Sequence, residues 1–171
     1  MEIVTAQTPG QEVAALYEAH ALSLIRLAYV MLGDRPAAED VVQEAFLGLY
    51  QRWSTLRDIT SAPGYLRVSV LNGCRMVLRS SARRDDRIAR IASESPWESA
   101  EATALVGEEY RQLLRGIRAL PPRQREALVL RYYLELSEAE TARSMGVRRG
   151  TVKSATSRAL AALGQRMREY S

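Results

Sequence analysis

The chain is predicted to be all-α, two small helical modules joined by a flexible acidic linker. Three observations predict it. Apolar residues recur at helical spacing in every periodic segment, prolines and glycines fall between those segments, and no run alternates as a strand would. The 171 residues are 47% hydrophobic and 26% charged, which excludes wholesale disorder. No run reaches the roughly 18 uninterrupted apolar residues of a membrane span, and the N-terminus lacks the pattern of a secretory signal. With a single cysteine, Cys74, neither an internal disulfide nor a cysteine-built zinc site is expected, and His20 is the lone histidine.

The first helix is predicted from Tyr17, Ala21, Leu24, Ala28 and Met31, which share one face. Gly33-Asp34 ends it and opens the second, with Pro36 in the tolerated first turn. Ala38, Val42, Ala45, Leu49 and Trp53 form the second helix's buried stripe. After Ser61, Pro63 and Gly64, the inward row Leu66, Val70, Gly73 and Val77 marks a third helix with an arginine-rich end. Residues 11–85 make the first module. Residues 86–107 lose the pattern and read as the linker. From residue 108 to 170, Leu113, Ile117 and Leu120 lead to the stop-and-restart Pro121-Pro122, and Leu128, Val129 and Tyr132 carry the next apolar face. Each module is small enough to be marginally stable alone.

The net charge of +4 is segregated along the chain. Residues 1–66 carry −4, residues 67–92 +5, residues 93–110 −5 and residues 111–171 +8. Two basic regions separated by an acidic strip point to two polyanion-binding surfaces and a further partner.

The stretch SEAETARSMGVRRGTVKSATSRALAAL, from Ser137 to Leu163, has the pattern of a helix-turn-helix. Ser137 and Glu140 form an S-x-x-E capping box, Ala142 is the small residue at the helix crossing, and Gly146 supplies the left-handed turn. Val152, Thr156, Ala159, Leu160 and Leu163 are expected to face inward. Arg149, Lys153 and Ser157 form one outer row, with Gly150, Ser154 and Arg158 beside it. Positive donors and short hydroxyls suit phosphates and base edges in a major groove. An arginine-rich solvated helix of an ordinary bundle would share the charge, but not the cap, turn and packing residues together.

The string DRPAAEDVVQEAF, from Asp34 to Phe46, resembles the polymerase-binding helix of bacterial sigma factors. The string beginning Leu120-Pro121-Pro122 and running through Leu163 resembles their fourth conserved region. With both in order and a short linker between them, the chain resembles the extracytoplasmic-function (ECF) sigma factors over residues 11–170. The resemblance implies a transcription initiation factor, with sigma region 2 in the first module and sigma region 4 in the second. It implies core RNA polymerase, promoter DNA and an anti-sigma protein as partners, and a cytoplasmic place of action.

On the second helix, Asp40, Gln43, Glu44 and Leu47 fall at i, i+3, i+4 and i+7, a polar stripe with one apolar anchor facing away from the core. Acids near the helix start complement its dipole, but Gln43 and Leu47 are not explained that way. The resemblance implies that this face docks on the polymerase clamp. Y-L-R-V-S-V-L-N, residues 65–72, matches the family's −10-reading segment, so Asn72 aligns with its base-contacting asparagine; Arg75, Arg79, Arg83 and Arg84 follow as candidate phosphate contacts. For the −35 duplex the candidates are Arg148, Arg149, Thr151, Lys153, Ser154, Ser157 and Arg158. Ala155 and Leu160 depart from the family's usual arginine and charged residue, and Arg148-Arg149 replaces a commoner Pro-x.

No nucleophile–base pair, glycine-rich phosphate loop or catalytic carboxylate spacing is present, so neither an enzyme nor a cofactor is expected. A regulator that binds duplex DNA alone would share the second module, and a protein-binding helical adaptor the first. His20 and Cys74 read as structural.

Overall fold

The computed structural model describes residues 8–56, 58–83 and 107–169; within them the chain is helical, with no strand. Of the predicted linker, residues 86–106 lie outside the described residues, and Gly107 stands at the N-terminus of the helix that follows. The described residues form α1 (Pro9–Leu32), α2 (Arg35–Gln51), α3 (Ala62–Arg83), α4 (Glu108–Arg118), α5 (Pro122–Leu128), α6 (Glu138–Met145) and α7 (Arg149–Glu169). Short 3-10 turns cover Trp53–Thr55 and Ile59–Ser61, and a π-helical turn, Val129–Tyr133, continues α5.

α1 starts on a reciprocal capping box between Thr8 and Gln11 and ends at Gly33, whose left-handed φ of 73° lets its amide close on the Tyr29 carbonyl. α1 is long and apolar enough by composition to pass for a membrane span, but its Leu24, Leu27, Ala28 and Met31 are buried in the protein core. Against them pack Ala38, Val42, Ala45 and Leu49 of α2, as read from the sequence, and Leu66, Val70 and Cys74 of α3, where Cys74 rather than the expected Gly73 is buried and Val77 is partly so. Trp53 falls after α2 has ended; it is half-buried in a 3-10 turn, where its Nε1 donates to Glu12 at 3.0 Å. Tyr17 is 40% exposed and sets its edge against Phe46, ring centres 5.0 Å apart. Burial pushes the Cys74 thiol up to about 12, so it is a packing residue and not a reactive one.

In the second module α4, α5 and α6 all pack on α7. Its own core is small: Leu120, Leu128 and Ala159, flanked by Ile117, Ala162 and Leu163. Three expectations fail here. Tyr132 is 59% exposed, because the π turn (Leu134 N to Val129 O, 3.0 Å) inserts an extra residue and rotates the face. Leu160 is 43% exposed, since it lies about 80° around the helix from Val152 whereas Ala159 and Leu163 lie within about 20°. On α4, Leu114 rather than Leu113 is buried.

The two modules share a core. Arg125 through Leu130 are buried without a break because α5 lies between α7 on one side and α1 on the other. Val129 and Leu130 belong to the first module's cluster, with Leu134, Leu136 and Met145 against it. Beside them the buried Arg125 guanidinium donates through Nη1 to the Met31 carbonyl, and through Nη2 to the carbonyls of Arg118 (2.6 Å) and Leu120 (3.2 Å). Arg118 in turn passes over Gly33, where a Cβ would meet its Cδ at 3.4 Å, and stacks on the Tyr29 ring at 4.2 Å.

α2 and α3 approach closely, and a Cβ at Gly73 would come within 2.7 Å of Val41 Cγ1. Gly73→Ala should therefore destabilise the protein by about 1–2 kcal/mol, the overpacking outweighing the gain in helix propensity. Val41→Ala in the same chain should recover part of that loss in urea unfolding, and additive losses would show that the contact is not the cause.

Candidate nucleic-acid interface

The helix-turn-helix forms from the local signals that its sequence carries. Ser137 Oγ accepts from the Glu140 amide at 3.2 Å, and the Glu140 carboxylate accepts from the Ser137 amide at 2.8 Å. The Ser137 hydroxyl, and then its amide, hold the Glu140 carboxyl below the usual carboxylate range. Gly146 takes φ 64°, a left-handed turn that a β-carbon would strain. Ala142 and Val152 are buried at the crossing.

Burial of Val152 and Ala159 fixes which side of α7 faces water. Arg148, Arg149, Thr151, Lys153, Ser154, Ser157 and Arg158 are all exposed. The nearest ionic partner of this face is Glu138, 3.8 Å from Arg149, an exposed pair that restrains the guanidinium little. Ser154 Oγ donates to the Thr151 carbonyl at 3.1 Å. Exposed Leu160 continues the same surface.

On α2, Asp40, Gln43, Glu44 and Leu47 are exposed, and Tyr50, absent from the sequence reading, extends the stripe with a second large apolar side chain. Its spacing from Leu47 was visible in the sequence as one more step along the same face. An acidic row with two apolar anchors is suited to docking on a protein surface that pairs basic with apolar groups.

The α3 residues divide. Asn72 and Arg79 are exposed, whereas Arg75 is turned into the seam between the modules. Arg75 Nε donates to Glu126 at 2.7 Å, Nη2 to the same carboxylate and to the Ser144 carbonyl (2.7 Å), and Nη1 to Asn72 Oδ1 (2.7 Å). The side chain of Arg83 and all of Arg84 lie outside the described residues. Glu126 and Arg125, which make the seam, were not singled out in the sequence: their partners in the first module are 51 and 94 residues away, and no local spacing marks them.

Ser137→Ala removes one side of the capping box and should cost about 1 kcal/mol, lowering the melting temperature of the chain. A melting temperature equal to that of the unmodified protein would show that the box contributes nothing.

Residues 16–84 match the description "Sigma-70 region 2" and residues 110–163 match "Sigma-70, region 4". The chain is 34% identical to the RNA polymerase sigma-E factor of Streptomyces coelicolor over 85% of its own length and 80% of that protein's. It is 31% identical to the ECF RNA polymerase sigma factor SigM of Mycobacterium tuberculosis over 96% and 82%. Its fold is similar to that of the sigma factor RpoE crystallised with the anti-sigma factor NepR from Bartonella quintana, with a TM-score of 0.68 at 18% identity over 91% of this chain and 96% of that one. The two sigma regions, in this order and with relatives matched over most of their length, place the chain in the family of ECF RNA polymerase sigma factors, the initiation factors that direct the polymerase to promoters.

Proposed function

We propose that the three surfaces divide the work of promoter selection among them. The α2 stripe of Asp40, Gln43, Glu44 and Leu47 docks on the clamp of core RNA polymerase. α7 enters the major groove of the −35 duplex, with Lys153, Ser154 and Ser157 toward base edges and Arg148, Arg149, Thr151 and Arg158 toward phosphates. Asn72 reads an unpaired base of the −10 element, helped by Arg75, Arg79, Arg83 and Arg84 on the backbone. The chain acts as a binding factor with no chemistry of its own, in the cytoplasm where the polymerase works, and an anti-sigma protein is the partner that would cover these surfaces.

The observation that carries this reading is the exposure, on one small chain, of an acidic stripe with an apolar anchor and a basic recognition helix. A regulator binding duplex DNA alone has no use for the first, and a protein adaptor none for the second. The test is transcription from a promoter library by sigma-free core polymerase supplied with this chain. Defined start sites are expected; duplex binding without initiation, or neither, would overturn the proposal.

Two substitutions test its parts. Lys153→Ala should weaken −35 duplex binding by about 1–3 kcal/mol with relaxed specificity if it reads a base, or lower the salt dependence by about one unit of slope if it holds a phosphate. Asp40→Arg with Glu44→Arg should abolish pull-down of core polymerase while the circular dichroism spectrum stays helical. Retained pull-down would remove the clamp assignment.

A further inference from the structure

The seam is not filled along its whole length. A cavity of about 390 Å³ opens where the end of α3 meets α5 and α6, and its polar lining is Arg75, Arg79, Arg123 and Glu126. That volume falls at the lower end of the range for small-molecule sites, about 300–1,000 Å³. The charges around it do not balance. Glu126 accepts from Arg75 through both Nε and Nη2, so this pair is internally neutral. Arg79, one turn further along α3, and Arg123, in the first turn of α5, are exposed and have no hydrogen-bond or ion-pair partner among the described residues. The cavity therefore carries two uncompensated guanidiniums, one from each module.

A guanidinium presents its donors as a rigid planar fork that matches a phosphate in bidentate fashion. Two such forks, supplied by different helices, suit a ligand with more than one phosphoryl group. The rest of the lining is apolar, from Leu78, Pro122, Met145 and Val147. Pyrophosphate alone would leave that surface in water. A ligand with a flat uncharged end covers it, and a methionine thioether adapts its shape to such a surface. Phosphates at one end and a planar heterocycle at the other describe a nucleotide.

We propose that this cavity is a binding site for a nucleoside diphosphate, with the Arg79 and Arg123 guanidiniums on its phosphates and its base against Leu78, Met145 and Val147. Both modules hold the ligand at once. Arg79 is also one of the backbone contacts proposed for the −10 strand, so an occupied cavity withdraws it from DNA. The site itself does not depend on that assignment.

The test is calorimetric titration of the full chain with ADP and, separately, with inorganic pyrophosphate. Saturable one-to-one binding is expected for both, with ADP tighter by roughly tenfold because its base covers apolar surface. Arg79→Ala and Arg123→Ala should each weaken ADP binding by roughly tenfold or more, the loss of a charge-assisted contact. Arg52→Ala removes the same charge from an exposed position outside the cavity and should leave ADP binding unchanged. Val147→Ser should weaken ADP and leave pyrophosphate as it was. No saturable binding, a loss with Arg52→Ala equal to that with Arg79→Ala, or pyrophosphate binding as tightly as ADP would each overturn the site. A fluorescein-labelled random-sequence short single strand, read by anisotropy, should bind more weakly when ADP is saturating. If ADP binds as stated and the strand is unaffected, the cavity site stands and the placing of Arg79 on the −10 backbone falls.

Discussion

A buried arginine that answers only to carbonyl oxygens holds this structure in the form described. Arg125 is 9% exposed, and its three acceptors belong to the last turn of α1 and to the end of α4 and the residues just past it. Those carbonyls are among the groups a helix end leaves without intrahelical donors, and they form the negative pole of each helix. Burial, and then the neighbouring Arg118, push the guanidinium below the usual arginine range, yet an arginine keeps its proton in any such site. The cost of withdrawing the charge, several kcal/mol, is offset by hydrogen bonds of about 1.5–3 kcal/mol each. The offset depends on α1 and α4 both ending at Arg125, whose buried Nε finds no acceptor of its own among the described residues. That requirement joins the two modules.

The same requirement explains why part of the molecule was legible in the sequence and part was not. The capping box at Ser137, the turn at Gly146 and the packing of Val152 depend on neighbours within fifteen residues, and all formed as their spacing says. So did most of the α1, α2 and α3 faces, although Tyr17 stays 40% exposed and Trp53 falls past the end of α2. Tyr132 and Leu160 were misassigned for local reasons, an extra residue in a π turn and a helix face narrower than its row of apolar letters. Val129, Leu130, Arg125 and Glu126 were opaque for a different reason. Their burial comes from a module whose position no periodicity encodes.

Among the candidate site residues, those on outward faces are where the sequence puts them, because a helix that buries one stripe must present the opposite one. Asp40, Gln43, Glu44 and Leu47 follow from the burial of Ala38, Val42, Ala45 and Leu49, and Lys153 and Ser157 from that of Val152 and Ala159. Arg75 is the exception. It sits at the margin of the α3 stripe, next to buried Cys74, so that a partner approaching from that side captures it.

The contacts that join the modules and the face proposed to dock do not overlap. The α2 stripe of Asp40, Gln43, Glu44 and Leu47 is exposed while the seam is intact, whereas Arg75 and Arg125 each reach an acceptor in the other module. A ligand shifts a conformational equilibrium only by its difference in affinity for the two states. A partner that touches only the α2 stripe therefore leaves the seam as it is, and one that parts the modules must replace the Arg75 and Arg125 contacts with its own.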